Sequence, residues 1–381
     1  MQWSLFKALA LAAVLQASSA APADGKLKVV KTTTTPGGQV IDWVVPESQG
    51  TIASPPPAPE KRSGKQPRIE TLIPHMEGPE GAVPILRSGG PTLSGKRLPQ
   101  PSDHGAGSGD VQRRASAAGS HWYASSGQTV ANTGGKATFS LFKPYVQSGS
   151  DFSLIQAAVV YDNAAHAGPG GVTQTVEAGW INFPNQEQAP HLFSFFTTNG
   201  YASQGDNVGG WNRDHAGWVQ TDGTIFPGMA FTTLSTDGGA QHELQIGYQL
   251  HQGNWWLWVQ DRYVGYYPAS LFSQNVSPGS TLAGGSDRIS FYGEVFNSED
   301  QVTTTDMGSG EFPDKGFGHA AYLHNIVYYD ANGNAQDYDG GGQIIVSDQA
   351  RYRIQTSFKS GGSWGSFFYL GGPGAGGVVG G

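Results

Sequence analysis

From His121 onward the chain is cut into short runs that suit β-strands. "KATFSLFKPYV", "SLIQAAVVYD", "QTVEAGWINF", "HLFSFFTTNGY", "HELQIGYQLH", "NWWLWVQDRYVGYYP", "DRISFYGEVFN" and "HAAYLHNIVYYD" are rich in β-branched and aromatic residues. Gly, Asn, Asp and Pro stand between them as turn signals. No stretch keeps an apolar period of about 3.6 residues. Many short strands separated by turns predict an all-β fold, an antiparallel β-sandwich of two large sheets. Residues 21–114 read differently. "SPPPAPEKR", "GGPTLSGKRLPQP" and "GAGSGDVQRR" are rich in Pro, Gly and Ser and offer little to build a core. Only "KLKVVKTTTTPGGQVIDWVV" reads as a hairpin there, two strand-like runs around Pro36-Gly37-Gly38.

The division by pattern is sharpened by charge. Residues 21–114 hold 12 Lys and Arg against 9 Asp and Glu, whereas residues 115–381 hold 9 against 21. A basic front segment ahead of an acidic body suggests a pro-region, partly a disordered linker, docked on the body by charge. The acidic body argues against nucleic acid as a partner. Residues 1–20 read as a secretory signal peptide: Lys7, an apolar run from Ala8 to Leu15, and small residues at Ser18-Ser19-Ala20. That run is too short to span a bilayer, so a secreted, membrane-free monomer is expected. There is no cysteine, which removes thiol nucleophiles and thiolate-held metals. Three dibasic pairs end at Arg62, Arg97 and Arg114 in what reads as exposed linker, and processing after them is expected. Asn275-Val276-Ser277 is the sole N-x-S/T sequon, which makes Asn275 the expected glycosylation site in a eukaryotic host.

Several motif matches carry nothing. "GGSWG" fits a nucleophile elbow, but no His follows Ser363 and no helix is readable after it. "GPGAGG" lies in a Gly-rich tail without a strand–helix unit. The ten His form no metal-binding pattern, and no metal or cofactor is expected. The carboxylates remain. Glu177 in "TVEAGWI" and Glu294 in "ISFYGEVFN" are each set among apolar and aromatic residues of a strand-like run. The strand period of about two puts Val176, Ala178 and Trp180 on one face and Thr175, Glu177, Gly179 and Ile181 on the other. Likewise Ile289, Phe291 and Val295 oppose Ser290, Tyr292, Glu294 and Phe296. The apolar sets point to a core. The Glu faces are either simply wet or line a cleft.

In order along the chain, "VEAGWINFP", "HLFSFFTTNGY", "GNWWLWVQDRYVGYYPASLF", "YGEVFNSE", "TTTDMGSGEFPDKGFGHAAYLHNI" and "FFYLGGPG" resemble the neprosin family of glutamic prolyl endopeptidases. "VKTTTTPGGQVIDWVVPESQG" resembles that family's pro-region. The chain departs from plant members in lacking their cysteines after the Asn-Gly-type strand. It also reads Tyr-Gly-Glu where they often have Gly-Gly-Glu. The resemblance implies that Glu177 and Glu294 are the catalytic dyad of a zymogen cut at an activation segment, acting on proline-containing peptides at acid pH. The chemistry is coherent: two carboxylates in one cleft share a proton, the ionised one takes a proton from water, and the other donates one. Which Glu plays which part is open at this level. Tyr292, on the face of Glu294, is expected to reach the oxyanion. Gly179 is expected to leave room for a substrate backbone, Gln174 to orient a carboxylate, and Trp255 to stack on a proline ring. Two other readings use the same residues: a glycoside hydrolase, which would also need paired carboxylates, and a non-catalytic sandwich that binds through its Trp residues.

Overall fold

The computed structural model describes residues 26–57, 78–87, 95–103, 105, 116–202, 209–340, 342–359 and 361–381. Its strands are, in chain order, β1 Val29–Thr34, β2 Val40–Val44, β3 Val83–Leu86, β4 Ser120–Asn132, β5 Gly134–Ser140, β6 Phe152–Ala164, β7 Val172–Phe183, β8 Glu187–Thr197, β9 Gly209–Trp211 and β10 Val219–Gln220. They continue with β11 Glu243–His251, β12 Asn254–Val259, β13 Arg262–Pro268, β14 Ser286–Asn297, β15 Ala321–Tyr329, β16 Ala335–Asp337, β17 Gln343–Val346, β18 Arg353–Ser357 and β19 Phe367–Gly371.

Two large sheets form the sandwich. One has the order β17-β4-β14-β6-β7-β8-β9, the other β10-β13-β12-β11-β5-β15-β19-β18 with β16 on the side of β15. Each run singled out in the sequence forms a strand, and "NWWLWVQDRYVGYYP" forms two, β12 and β13. The pleat then sorts its side chains. Ile155, Ala157 and Val159 of β6, Val176, Ala178 and Trp180 of β7, and Ile289, Phe291 and Val295 of β14 enter the core between the sheets. Ala137 and Phe139 of β5, Ile246 and Tyr248 of β11, and Trp255 and Leu257 of β12 meet them from the other sheet. Gln252 and Gly253 join β11 to β12 with φ of 47° and 74°. That pair of left-handed residues gives the hairpin the twist of its strands.

The hairpin expected near the N-terminus is β1–β2, closed by the Thr35 N–H donating to Gln39 O and the Gln39 N–H donating to Thr35 Oγ1. β3 adds to it to make a small third sheet. This sheet docks on the body by burial and amide bonds, not by the general charge attraction expected. Ile41 and Trp43 join the main core. The Gln39 amide bonds to Gly228 O and Ala230 N, and the Gln49 amide to Gln220 O and N. Among the described residues, the ion pairs between residues 26–105 and the rest belong to one side chain, Lys96. Of the pro-region expected over 21–114, residues 21–25, 58–77, 88–94, 104 and 106–114, with the pairs ending at Arg62 and Arg114, lie outside the described residues. Asn275 is exposed, in a turn with φ of 59°. No helix of the described residues is long and apolar enough to cross a membrane.

One buried carboxyl away from the cleft is tuned for acid. Asp306 Oδ2 accepts from the amides of Tyr145 and Gly380, while its buried Oδ1 has no partner. Burial, with a smaller push from Glu311, raises its pKa to about 6 against those two amides. A group whose pKa is raised by folding contributes stability that is complete below its unfolded pKa and is lost as pH rises through the folded value. The fold should therefore firm up as pH falls from 7 through about 6 toward 4. We expect Asp306→Asn to raise stability at pH 7 by about 1–2 kcal/mol, after allowance for screening, and to flatten this rise. Thermal melts of both proteins at pH 7 and pH 5 check it. An equal pH dependence in the two would refute it.

Candidate active site

β6 is the central strand of the seven-stranded sheet, with β14 on one side and β7 on the other. Register places Ala158 beside Glu177 on β7 and Leu154 beside Glu294 on β14. Gln156 lies between these two positions, paired with Gly179 and Tyr292. All three polar side chains emerge on the face away from the core, as the strand period requires. This face is not wet. Glu177, Glu294 and Gln156 are fully buried. The cover is the segment 95–103, which crosses the face and sends Lys96 into it.

The Lys96 ammonium lies 2.9 Å from Glu177 Oε2 and 3.3 Å from Glu294 Oε2. It also donates to Gln156 Oε1. Both carboxylates therefore come within reach of one cation. Four aromatic rings surround the ammonium, Phe193, Phe195, Trp211 and Tyr292, with centroids 5.3 to 5.8 Å away. Such faces favour a desolvated cation. The ammonium fills the space between the carboxylates.

Each carboxylate has its own set of donors. Glu177 Oε1 accepts from Tyr201 Oη at 2.5 Å and Thr175 Oγ1 at 2.8 Å. Its Oε2 accepts from Gln156 Nε2 at 2.7 Å and Tyr292 Oη at 3.3 Å. His121 Nδ1 is 2.7 Å from Glu294 Oε1. Burial alone would push the Glu294 carboxyl up, but the Lys96 charge, together with His121, holds it below the usual glutamate range. Burial, reinforced by the charge of Glu177, raises the Tyr201 and Tyr292 hydroxyls well above the ordinary tyrosine range. Both remain protonated donors. Two carboxyl groups on either side of one small space, one of them held by hydroxyl and amide donors, can exchange protons with a group placed between them. Among the described residues no group of three or more His, Cys, Asp or Glu is placed to hold a metal ion.

The structure brings Glu177, Glu294 and Tyr292 together and moves the other expected residues elsewhere. Gln174 falls on the core face of β7. Its amide bonds to Thr198 O, Phe272 O and the Leu282 N–H, so it ties loops and orients no carboxylate. Gly179 does not make room for substrate. A Cβ there would lie 2.0 Å from Ile155 O, so glycine allows the close approach of β6 and β7. Trp255 sits in the core with its Nε1 on Leu282 O, remote from the cleft face. The aromatic wall expected of the Trp-rich strand is built instead by Phe193 and Phe195 of β8 and Trp211 of β9. The Lys96-Arg97 pair is not in exposed linker: Lys96 is buried at the carboxylates and only Arg97 faces out, against Asp103. Cleavage after Arg97 requires the segment to leave the cleft first. Sequence reasoning put Thr175 on the Glu177 face without giving it a role, and missed Gln156, His121, Tyr201 and Lys96. Of these four, only Gln156 carried a signal, a lone amide in the apolar run "SLIQAAVV".

Comparison with known proteins gives the following. The sequence model of the Neprosin family matches residues 149–373. Among solved structures, Scytalido-glutamic peptidase with a peptide-based transition state analog aligns at 9% identity and a TM-score of 0.34, covering 66% of this chain and 98% of that one. SCP-B, a member of the Eqolisin family of peptidases in a complex with the tripeptide Ala-Ile-His, aligns at 9% identity and 0.33, with the same coverage.

Proposed function

Because the chain belongs to the neprosin family of peptidases, we propose that it is a secreted glutamic endopeptidase, active at acid pH, which cuts proline-containing peptides and is made as a zymogen. Glu177 and Glu294 are the proposed dyad. The observation that supports this reading best is the single ammonium shared by the two carboxylates. One ammonium within reach of both carboxylates means that the two groups are close enough to act on a single bound group. With the cation gone, two facing carboxylates cannot both ionise easily, so they keep one proton between them. The ionised group takes a proton from water as the water attacks the carbonyl carbon. The protonated group donates to the carbonyl oxygen; the carboxyl that took the proton from water then passes it to the leaving nitrogen as the C–N bond breaks, and a hydroxyl of the gem-diol returns a proton to the other carboxylate. Tyr292 and Tyr201, held neutral, supply further O–H donors beside the dyad. The apolar ring walls of Phe193, Phe195 and Trp211 favour a proline ring near the scissile bond.

The functional test is direct. The protein is incubated with a proline-containing protein at about pH 3 and about pH 7, bracketing the range in which a carboxyl pair shares its proton. The cut sites are then mapped by mass. Cuts clustered at proline, and faster at the lower pH, are expected. Cuts that ignore proline would refute the specificity, and faster cleavage at neutral pH would refute the shared-proton mechanism.

A further inference from the structure

We propose that the cleft carries an aliphatic side-chain subsite beside the dyad, filled by Leu98 in the full-length chain and by a substrate Leu, Ile or Val once the segment leaves. The inference rests on the peptidase reading and names a preference of the same site.

Over residues 95–98 the covering segment alternates, before Pro99 is buried as well. Lys96 is buried, Arg97 exposed and Leu98 buried, as an extended strand dictates when it lies along a face. Its backbone is held in the manner of a bound peptide, with Tyr123 Oη donating to Arg97 O at 2.9 Å. Leu98 is almost wholly buried, in a pocket made by Tyr123, Ala158, Val160 and Tyr292, with Tyr201 against it. The floor comes from β6, where Ala158 and Val160 stand two and four residues past Gln156 on the same face. Small Ala158 gives the pocket its depth, and the tyrosines wall it. Two of those tyrosines, Tyr201 and Tyr292, also donate to Glu177, so the pocket and the dyad share walls. Nearby, Arg288 is tied to Asp162 by two hydrogen bonds. An aliphatic chain therefore meets methyl groups and ring faces, whereas a charged one would lose its water without gaining a partner. This pocket is distinct from the aromatic wall around the Lys96 ammonium. The cleft thus has two apolar receptors, one ringed by Phe and Trp at the dyad and one aliphatic beside it.

The test uses the full-length protein activated by acid and a peptide library holding a single proline with randomised flanks. Leu, Ile and Val should exceed Asp and Lys at least about tenfold at one position, at a fixed distance from the cut. Ala158→Leu, which fills the pocket, should shift that position toward Gly and Ala. Val160→Ala, which widens it, should admit Phe, and serves if Ala158→Leu does not fold. A flat preference at all flanking positions overturns the proposal, as do folded variants that keep the wild-type preference. If no form cuts any peptide, the peptidase reading has failed, and the pocket is judged by binding. A labelled peptide of residues 95–103 is compared with its Leu98→Asp counterpart on the acid-treated full-length protein. Roughly tenfold weaker binding of the Asp peptide supports the subsite, and equal binding overturns it.

Discussion

Glu177→Gln and Glu294→Gln are each expected to lower peptide cleavage by a factor on the order of a thousand or more, the loss seen when one member of an interdependent set is removed. Glutamine keeps the volume of glutamate, so the sheet should fold as before. It cannot give up or share the proton that the dyad trades. The local cost differs at the two positions. At Glu177 the new amide cannot satisfy Tyr201, Thr175, Gln156 and Tyr292 as a carboxylate does, because those four side chains all donate to it. Among the described residues, the partners of Glu294 are His121 and Lys96. Each variant also leaves Lys96 with one carboxylate, so its covering segment should be held less firmly. Cleavage is therefore measured after the segment has been removed by wild-type enzyme added in trans and washed away. Near-normal turnover in either variant, with the β-sheet signature retained, would remove that residue from the mechanism.

Lys96→Met should give a full-length protein that cleaves peptide at acid pH from the moment of mixing, before any change in mass. The wild-type chain should show a lag. The variant keeps the apolar stem and removes the charge, so the two carboxylates face each other with no cation between them. Truncating one partner of a buried ion pair costs about 3–5 kcal/mol. That strain falls on the hold of the segment over the cleft. The sign of the pH effect follows from Glu294. Lys96 and His121 hold its carboxyl below the usual range although burial opposes them. The grip contributed by this pair is thus complete above the ordinary glutamate pKa and is lost only as pH falls through the lowered value. Acid should therefore release the wild-type segment late, below the pH at which a surface glutamate protonates. The lag at several pH values, followed by mass and by cleavage of a short reporter peptide, checks both statements. A wild-type precursor that is fully active without a lag would show that Lys96 does not block the site.

The strands and the two carboxylates were legible for one reason: the residues that flank each Glu on the core face are apolar. That made Glu177 and Glu294 stand out against Val176, Trp180, Ile289 and Phe291. β4 was not legible, because "SHWYASSGQTVAN" is dominated by small polar residues. Those residues suit a strand covered on both faces, against the core and against the N-terminal segment. Lys96 was hidden for a related cause. Local composition marks "SGKRLPQP" as linker, and nothing local records that a carboxylate pair far along the chain awaits its ammonium. Trp255 misled in the opposite direction. A Trp-rich run suggests a stacking platform, yet Trp255 belongs to the sheet whose inner face builds the core. Gln174 misled by parity, since it is one residue from the cleft face and its amide was needed among loops instead.

The seat of the N-terminal sheet has a consequence for how the molecule is made. Ile41 and Trp43 share the core with Ile225, Phe226 and Met229, and Leu86 lies against Gly228. A chain synthesised from residue 115 would have to close this wall of its core without these side chains. We expect the N-terminal sheet to act as a folding template for this wall, so that expression of the body alone yields insoluble protein. It also means that a cut between residues 87 and 116 leaves two polypeptides that hold together through buried tryptophan and paired amides. Breaking the peptide bond and shedding the fragment are separate events, and the second would govern how long the enzyme stays in one piece after the first.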